Sequence, residues 1–221
     1  MKPSKTALFG GSFDPVHNGH ISAAVAVREK LGGDRVVLVP NYQNPLKEQA
    51  AGASAEERLE MLRLAVAGKE GLEISRIETE RGPPSHTAQT LRLWREREGN
   101  GSLWFVMGRD LFSSVAEWRD FEEIFEKTNI AVISRRGVSA EATPPFEIRD
   151  CFLYDGEGME TVRFNHKSGS RLWFVKIDAP DISSTLIRNR VKDGGEFERL
   201  VPSAVADFIR QNKLYTGDPR K

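Results

Sequence analysis

Two histidines near the amino end of the chain, His17 and His20, are spaced so that both can face one phosphate group. They lie at the end of a segment that directly follows an apolar run at residues 7–9. The segment reads Gly10-Gly11-Ser12-Phe13-Asp14-Pro15-Val16-His17-Asn18-Gly19-His20. Glycine lets main-chain N–H groups approach an anion, and a helix start offers unpaired N–H groups and a positive dipole end. Imidazoles on the first helical turn can donate hydrogen bonds to phosphate oxygens. The segment therefore predicts a polyphosphate-binding site between a strand and a helix.

Each part of this segment also has a simpler interpretation. A glycine pair after a strand is commonly a turn, and a single histidine is commonly a surface or core residue. Asp14-Pro15 by itself predicts a helix N-cap followed by proline at the first helical position. The combination of all parts favours phosphate binding. The patterns G-x-G-x-x-G and G-x-x-x-x-G-K-[ST] do not occur in the chain, which disfavours a nicotinamide-dependent dehydrogenase and a P-loop enzyme.

A second pattern suited to phosphate lies near the other end of the chain, at the start of a predicted helix. Three consecutive hydroxyl residues stand there with an arginine one turn later, in the string Asp181-Ile182-Ser183-Ser184-Thr185-Leu186-Ile187-Arg188. Such hydroxyls can be helix caps and nothing more. Ser184, Thr185 and Arg188 can also reach an anion together, because the guanidinium fork matches phosphate geometry. We expect the two patterns to converge in the fold.

Alternating strand and helix signals predict the elements that position these residues. Apolar runs predict strands at residues 7–9, 36–39, 72–78, 103–107, 130–133 and 172–177. Apolar periodicity and caps predict helices over 21–31, from Ser54 to residue 66, and over 87–97, 184–191 and 202–211. This order predicts an α/β fold with a doubly wound, Rossmann-like parallel sheet in a single domain, residues 1–221, whose C-terminal helices 184–211 complete the phosphate site.

The composition limits the classes of protein to be considered. The chain has 221 residues, and its 32 Lys plus Arg balance its 32 Asp plus Glu. The formal net charge is therefore zero, and the sequence does not predict a nucleic-acid partner. No apolar stretch approaches the length of a membrane span, and Cys151, the single cysteine, fits a core residue in a reducing compartment. We expect a cytoplasmic protein. Residues 138–170 predict a surface excursion with a short strand at 151–154.

The two phosphate patterns resemble the paired signatures of the nucleotidyltransferase superfamily. Gly10 to His20 is similar to its G(T/S)FDPxHxGH motif, and Ile182 to Arg188 is similar to its IS(S/A)TxIR motif. Members transfer a nucleoside monophosphate from ATP or CTP onto a phosphate. The resemblance implies the Rossmann-like fold of that superfamily.

The middle of the chain resembles the bacterial nicotinate-nucleotide adenylyltransferases. The similar blocks are Ser85 to Leu91, Gly108-Arg109-Asp110, Trp118, Ser134 to Gly137, and Val201-Pro202 to Leu214-Tyr215. Phosphopantetheine adenylyltransferases share the first motif, but they are shorter and lack a match to residues 81–118. The resemblance implies ATP and nicotinate mononucleotide as substrates, magnesium that arrives with ATP, no dedicated metal site and a possible homo-oligomer.

The resemblance also assigns roles to residues. Those implied for ATP are Gly10, Gly11, Ser12, Phe13, Gly108, Asp110, Ile182, Ser183, Ser184 and Thr185. Those implied for catalysis are His17, His20 and Arg188, and those implied for nicotinate mononucleotide are Lys47, Ser85, His86, Thr87, Trp118 and Arg135. Asp110 would bind ribose hydroxyls, or else cap a helix. Trp118 would stack on the pyridine ring, or else pack in the core.

Two positions depart from the family pattern and leave alternatives open. Most members carry Pro-His-(Lys/Arg) where this chain has Pro45-Leu46-Lys47, and an aromatic commonly stands at the position of His86. These departures leave the details of the pyridine pocket open. Nicotinamide mononucleotide and phosphopantetheine are alternative acceptors, although residues 85–90 and Trp118 favour a pyridine nucleotide. A nucleotide-binding module without catalysis is a further alternative, and the presence of both histidines and Arg188 disfavours it.

Overall fold

The computed structural model of the protein describes residues 5–42, 52–99, 101–135 and 142–217. Within these ranges one sheet runs through the molecule, in the order β3-β2-β1-β4-β5-β8-β7-β6. Its strands are β1 Lys5–Gly11, β2 Arg35–Pro40, β3 Leu72–Ile74, β4 Ser102–Gly108, β5 Asn129–Arg135, β6 Phe152–Gly158, β7 Thr161–His166 and β8 Arg171–Ile177. The strands from β3 to β8 in this order pair in parallel, whereas β7 pairs antiparallel with both β8 and β6.

Both faces of the parallel part of the sheet are buried, which explains its continuous apolar runs. In β4, Leu103 and Phe105 belong to the core on one face, and Trp104 and Val106 belong to the core on the other. The helices are α1 Asn18–Leu31, α2 Ala55–Val66, α3 Ile77–Arg81, α4 Thr87–Glu98, α5 Arg109–Ser113, α6 Phe121–Lys127, α7 Ser184–Lys192 and α8 Ser203–Gln211. Apolar residues of α1, α2, α7 and α8 fill the first core, and those of α3 to α6 fill the second. The doubly wound α/β fold is confirmed.

The strand order places the expected site. The chain leaves β1 towards β2 on one side and later returns to β4 on the other, so β1 and β4 flank a topological switch point. Gly10-Gly11 and Gly108 end these two strands. Ligands of open α/β sheets bind in the crevice at such a point.

Three sequence expectations about local structure are wrong. The strand expected at 72–78 ends at Ile74, since Ile77 and Glu78 turn inward on α3. The surface excursion expected at 138–170 is wrong for the described residues 142–170: the short strand expected at 151–154 is part of the longer β6, and β6 and β7 extend the central sheet beside β8. Their apolar pattern is weak because β6 is an edge strand with both faces open: Leu153 and Tyr154, whose side chains point to opposite faces, are both exposed. Asp14 does not cap the first helix, which begins at Asn18.

Two further observations bear on composition. Cys151 is half-buried and packs against the second core. Among the helices in the described ranges, none combines the length and the apolar character that crossing a bilayer requires.

Candidate active site

The two histidines cap the first helix and each other. His17 is the N-cap of α1 with extended backbone, and His20 is its third residue. The Nδ1 of His17 accepts from the main-chain N–H of His20 at 3.3 Å, and the Nδ1 of His20 accepts from that of His17 at 3.3 Å. Their rings stack with centroids 3.6 Å apart. Because both Nδ1 atoms act as acceptors, each neutral ring carries its proton on Nε2.

Gly19, between the histidines, allows this packing. A Cβ at this position would lie 3.0 Å from Nδ1 of His17 and 3.1 Å from the main-chain oxygen of Pro180. Any larger residue would therefore push the ring and the segment before α7 apart. The sequence reasoning did not single out Gly19, because the neighbour that makes it necessary is distant in the chain.

The buried ring of Phe13 packs against His20. It is 1% exposed and makes an edge contact with the imidazole, with centroids 5.0 Å apart. A Cβ on Gly11 would lie 3.1 Å from the same ring. Phe13 has φ of 48°, a left-handed conformation that side chains rarely adopt. Since the ring is buried, any contact of Phe13 with ATP is left to its main chain.

The structure brings the front and rear patterns into direct contact. The hydroxyl of Ser184 donates to the main-chain oxygen of Pro15 at 2.9 Å, and the guanidinium of Arg188 donates to that of Asp14 at 2.7 Å. Arg188 also donates to the hydroxyl of Thr185 at 3.2 Å. The hydroxyl of Ser184 and the guanidinium of Arg188 therefore reach the segment that leads directly into the paired histidines. Their roles towards ATP stay predictions.

The other two residues of the rear pattern have structural partners. The hydroxyl of Ser183 caps α7 by accepting from the main-chain N–H of Leu186 at 3.1 Å. Ile182 is buried in the first core. Both fix the helix start on which Ser184 and Thr185 stand.

Asp14 joins four segments of the chain. Its carboxylate accepts from the main-chain N–H of Gly52 at 2.8 Å and of Ala53 at 3.0 Å, and from the hydroxyl of Tyr215 at 2.7 Å. It also lies 3.7 Å from Arg188. Burial and the adjacent Asp14 carboxylate raise the pKa of Tyr215, so its hydroxyl stays a donor. Asp14 is thus a hub of the site, meaning that its carboxylate holds residues 52–53, Tyr215 and Arg188 together, and it is not a helix cap.

We expect Asp14→Asn to lower the free energy of unfolding by about 1–3 kcal/mol, since a carboxamide cannot accept all of these bonds and turns its own N–H group towards donors. Urea unfolding followed by circular dichroism measures the change. Asp207→Asn, at an exposed position of α8, is the control and should stay within about 0.5 kcal/mol of wild type. An Asp14 variant as stable as that control would contradict the role of Asp14 as a hub.

The segment expected to hold the second substrate lies beside the end of β2. The hydroxyl of Ser85 accepts from the main-chain N–H of Tyr42 at 3.0 Å. His86 and Thr87 follow as the N-cap and first residue of α4. These three residues therefore stand at the same edge of the sheet as the histidines.

The residues after β4 clarify one alternative. Gly108 is itself the N-cap of α5, and Asp110 is an exposed residue of its first turn, so the N-cap interpretation of Asp110 is wrong. Trp118 is half-buried against the second core, and its ring N–H has no hydrogen-bond partner among the described residues. Its stacking on a pyridine ring stays a prediction.

Some expectations cannot be placed. Lys47 and the side chain of Arg135 lie outside the described residues. In the described ranges no three His, Cys, Asp or Glu side chains come together as a metal cage. Binding of magnesium through ATP oxygens stays a prediction.

Comparison with known proteins decides the family. Residues 8–190 match the model of the cytidylyltransferase-like family. The chain belongs to that family. Relatives within it include the probable nicotinate-nucleotide adenylyltransferase of Desulfatibacillum aliphaticivorans, 35% identical over 96% of this chain and 99% of the relative. That of Citrifermentans bemidjiense is 36% identical over 96% of this chain and 98% of the relative.

Solved structures share the fold of this chain. The nicotinic acid mononucleotide adenylyltransferase of Plasmodium falciparum complexed with NaAD superposes with a TM-score of 0.73 over 98% of this chain and 100% of that chain, at 15% identity. The crystal structure of a putative nicotinate-nucleotide adenylyltransferase from Vibrio parahaemolyticus gives a TM-score of 0.64 over 97% of this chain and 96% of that chain, at 18% identity.

Proposed function

We propose that the protein transfers the adenylyl group of ATP to nicotinate mononucleotide, giving nicotinate adenine dinucleotide and pyrophosphate in NAD biosynthesis. The observation that carries this proposal is the contact of Arg188 and Ser184 with the segment before the paired histidines, at the switch point of the sheet. The names of relatives that match nearly the full chain support the same activity.

The reaction needs no covalent intermediate with the enzyme. The 5′-phosphate of nicotinate mononucleotide is already an anionic nucleophile, and one of its oxygens attacks the α-phosphorus of ATP in line. A new P–O bond forms as the bond to the bridging oxygen breaks, and pyrophosphate leaves with those electrons. Catalysis then consists of positioning and of stabilising charge on phosphate oxygens.

Each residue of the site has a role in this scheme. His20 donates from Nε2 to the α-phosphoryl oxygens, and His17 serves neighbouring phosphates. Arg188, Ser184 and Thr185 stabilise the departing pyrophosphate. Magnesium bound to the triphosphate would offset further negative charge.

The remaining predicted residues divide between the two nucleotides. The main chain of Gly10, Gly11, Ser12 and Phe13, with Gly108, holds ATP, and Asp110 accepts from ribose hydroxyls. The exposure of Asp110 supports this role. Nicotinate mononucleotide is held by Lys47, Ser85, His86, Thr87, Trp118 and Arg135. The proposal places the protein in the cytoplasm, and self-association stays a prediction.

A product assay tests the proposal. Purified protein with magnesium and ATP is given nicotinate mononucleotide, nicotinamide mononucleotide or phosphopantetheine in separate reactions, and mass spectrometry identifies the products while pyrophosphate release is followed. We expect nicotinate adenine dinucleotide as the principal product. Faster turnover of either other acceptor would reassign the substrate, and no pyrophosphate with any acceptor would indicate a binding module.

A further inference from the structure

We propose that Arg58, on α2, is a positioning residue that holds Ser12, in the loop after β1, against Asn41 and Tyr42, the two described residues that follow β2. It thereby sets the distance between the two nucleotides. The inference rests on the proposed function, because each loop serves one substrate there. Ser12 of the first loop is on the ATP side. The second loop contacts Ser85, on the side of nicotinate mononucleotide.

The contacts of the guanidinium carry this inference. One terminal nitrogen donates to the main-chain oxygens of Ser12 at 2.9 Å and Asn41 at 2.7 Å, and the other donates to that of Tyr42 at 3.0 Å. The residue is 1% exposed. A single side chain thus satisfies three main-chain acceptors from two loops that are far apart in sequence.

Packing alone does not explain why an arginine occupies position 58 of α2. Arg58 shares the buried face of α2 with Met61, Leu62 and Ala65, at the spacing where a fourth apolar residue is expected. Burial lowers the pKa of the guanidinium, whereas the Asp14 carboxylate nearby raises it. A buried charge held by carbonyl groups is costly compared with an apolar residue of similar size. The hydrogen bonds to the loops account for its presence.

Tyr42 also connects Arg58 to residues 85–87, the segment expected to bind nicotinate mononucleotide. The main-chain N–H of Asn41 donates to the oxygen of Gly11 at 3.0 Å, and that of Tyr42 donates to Ser85 at 3.0 Å. Arg58 therefore links Ser12 to Tyr42, and Tyr42 in turn contacts Ser85, just before the start of α4. In-line transfer depends on the distance between the attacking oxygen and phosphorus, and a misplacement of about 1 Å can cost roughly 10²-fold in rate.

Arg58→Lys tests the inference, because lysine keeps the charge but loses the planar fork. We expect kcat to fall roughly 10- to 100-fold while the Kd for ATP changes less than about threefold, since the phosphate ligands remain. Calorimetric titration with ATP should still count a full complement of sites, which a partly unfolded sample would lack. Amide exchange at Tyr42 should become faster.

The control is Arg63→Lys on the same helix, where the exposed arginine pairs with Glu60. It should leave kcat and amide exchange unchanged. Wild-type kcat and wild-type exchange in a folded Arg58→Lys would overturn the inference. If that variant does not fold, Arg58→Gln, which keeps two N–H donors, is judged by the same measurements. Failure of the wild type to form nicotinate adenine dinucleotide would overturn the proposed function, while the exchange at Tyr42 would still test whether Arg58 holds the two loops.

Discussion

Replacing His20 with alanine should lower kcat roughly 10²- to 10³-fold, the scale measured for loss of one donor to a transition-state oxyanion. In the proposed reaction, negative charge on the α-phosphoryl oxygens is met by the Nε2–H of this ring. The orientation of the ring is fixed by its stacking on His17 and by the edge contact with Phe13. Initial rates of pyrophosphate release, with both substrates saturating, measure the loss.

His20 also helps to cap α1, so stability must be separated from chemistry. His20→Gln is the matched variant, because glutamine at the third helical position preserves a capping box but has no imidazole. We expect it to lose turnover as His20→Ala does while keeping the melting temperature of the wild type. Near-normal turnover by either folded variant would remove His20 from its assigned role.

Arg188→Ala should lower kcat/KM by a comparable factor, roughly 10² to 10³, because the developing pyrophosphate loses its guanidinium partner. Arg188→Lys should recover only part of this loss, since an ammonium group provides charge without a planar fork. Arg188→Ala also removes the donor to the main-chain oxygen of Asp14. Steady-state kinetics with varied ATP measure both variants.

Arg190→Lys on α7 is the control. This arginine is exposed and donates to the main-chain oxygen of Glu196, and we expect its replacement to leave kcat/KM unchanged. Equal effects at Arg188 and Arg190 would show that helix stability, and not phosphate contact, explains the loss. A folded Arg188→Ala with wild-type kcat/KM would contradict the role of Arg188.

Local patterns made much of the fold predictable. The apolar runs of β1, β2, β4, β5 and β8 were visible because parallel strands buried on both faces need no polar residues. Ser54 and Glu57 marked the start of α2 because a capping box acts within one helical turn. β6 and β7 were missed as members of the sheet, because the edge strand β6 is exposed on both faces and its polar, glycine-containing sequence resembles that of a loop.

The sequence by itself determined which groups are candidates for the site. His17, His20 and Arg188 carry their chemistry in their side chains, and helix geometry alone sets the spacing of the two histidines. Tertiary structure decided how those groups are held. Asp14 became a hub because Gly52 and Tyr215 reach it, and Arg58 is buried because two distant loops offer it carbonyl groups. These contacts join residues remote in the chain, and such pairings depend on how whole elements pack and not on any local pattern of residues.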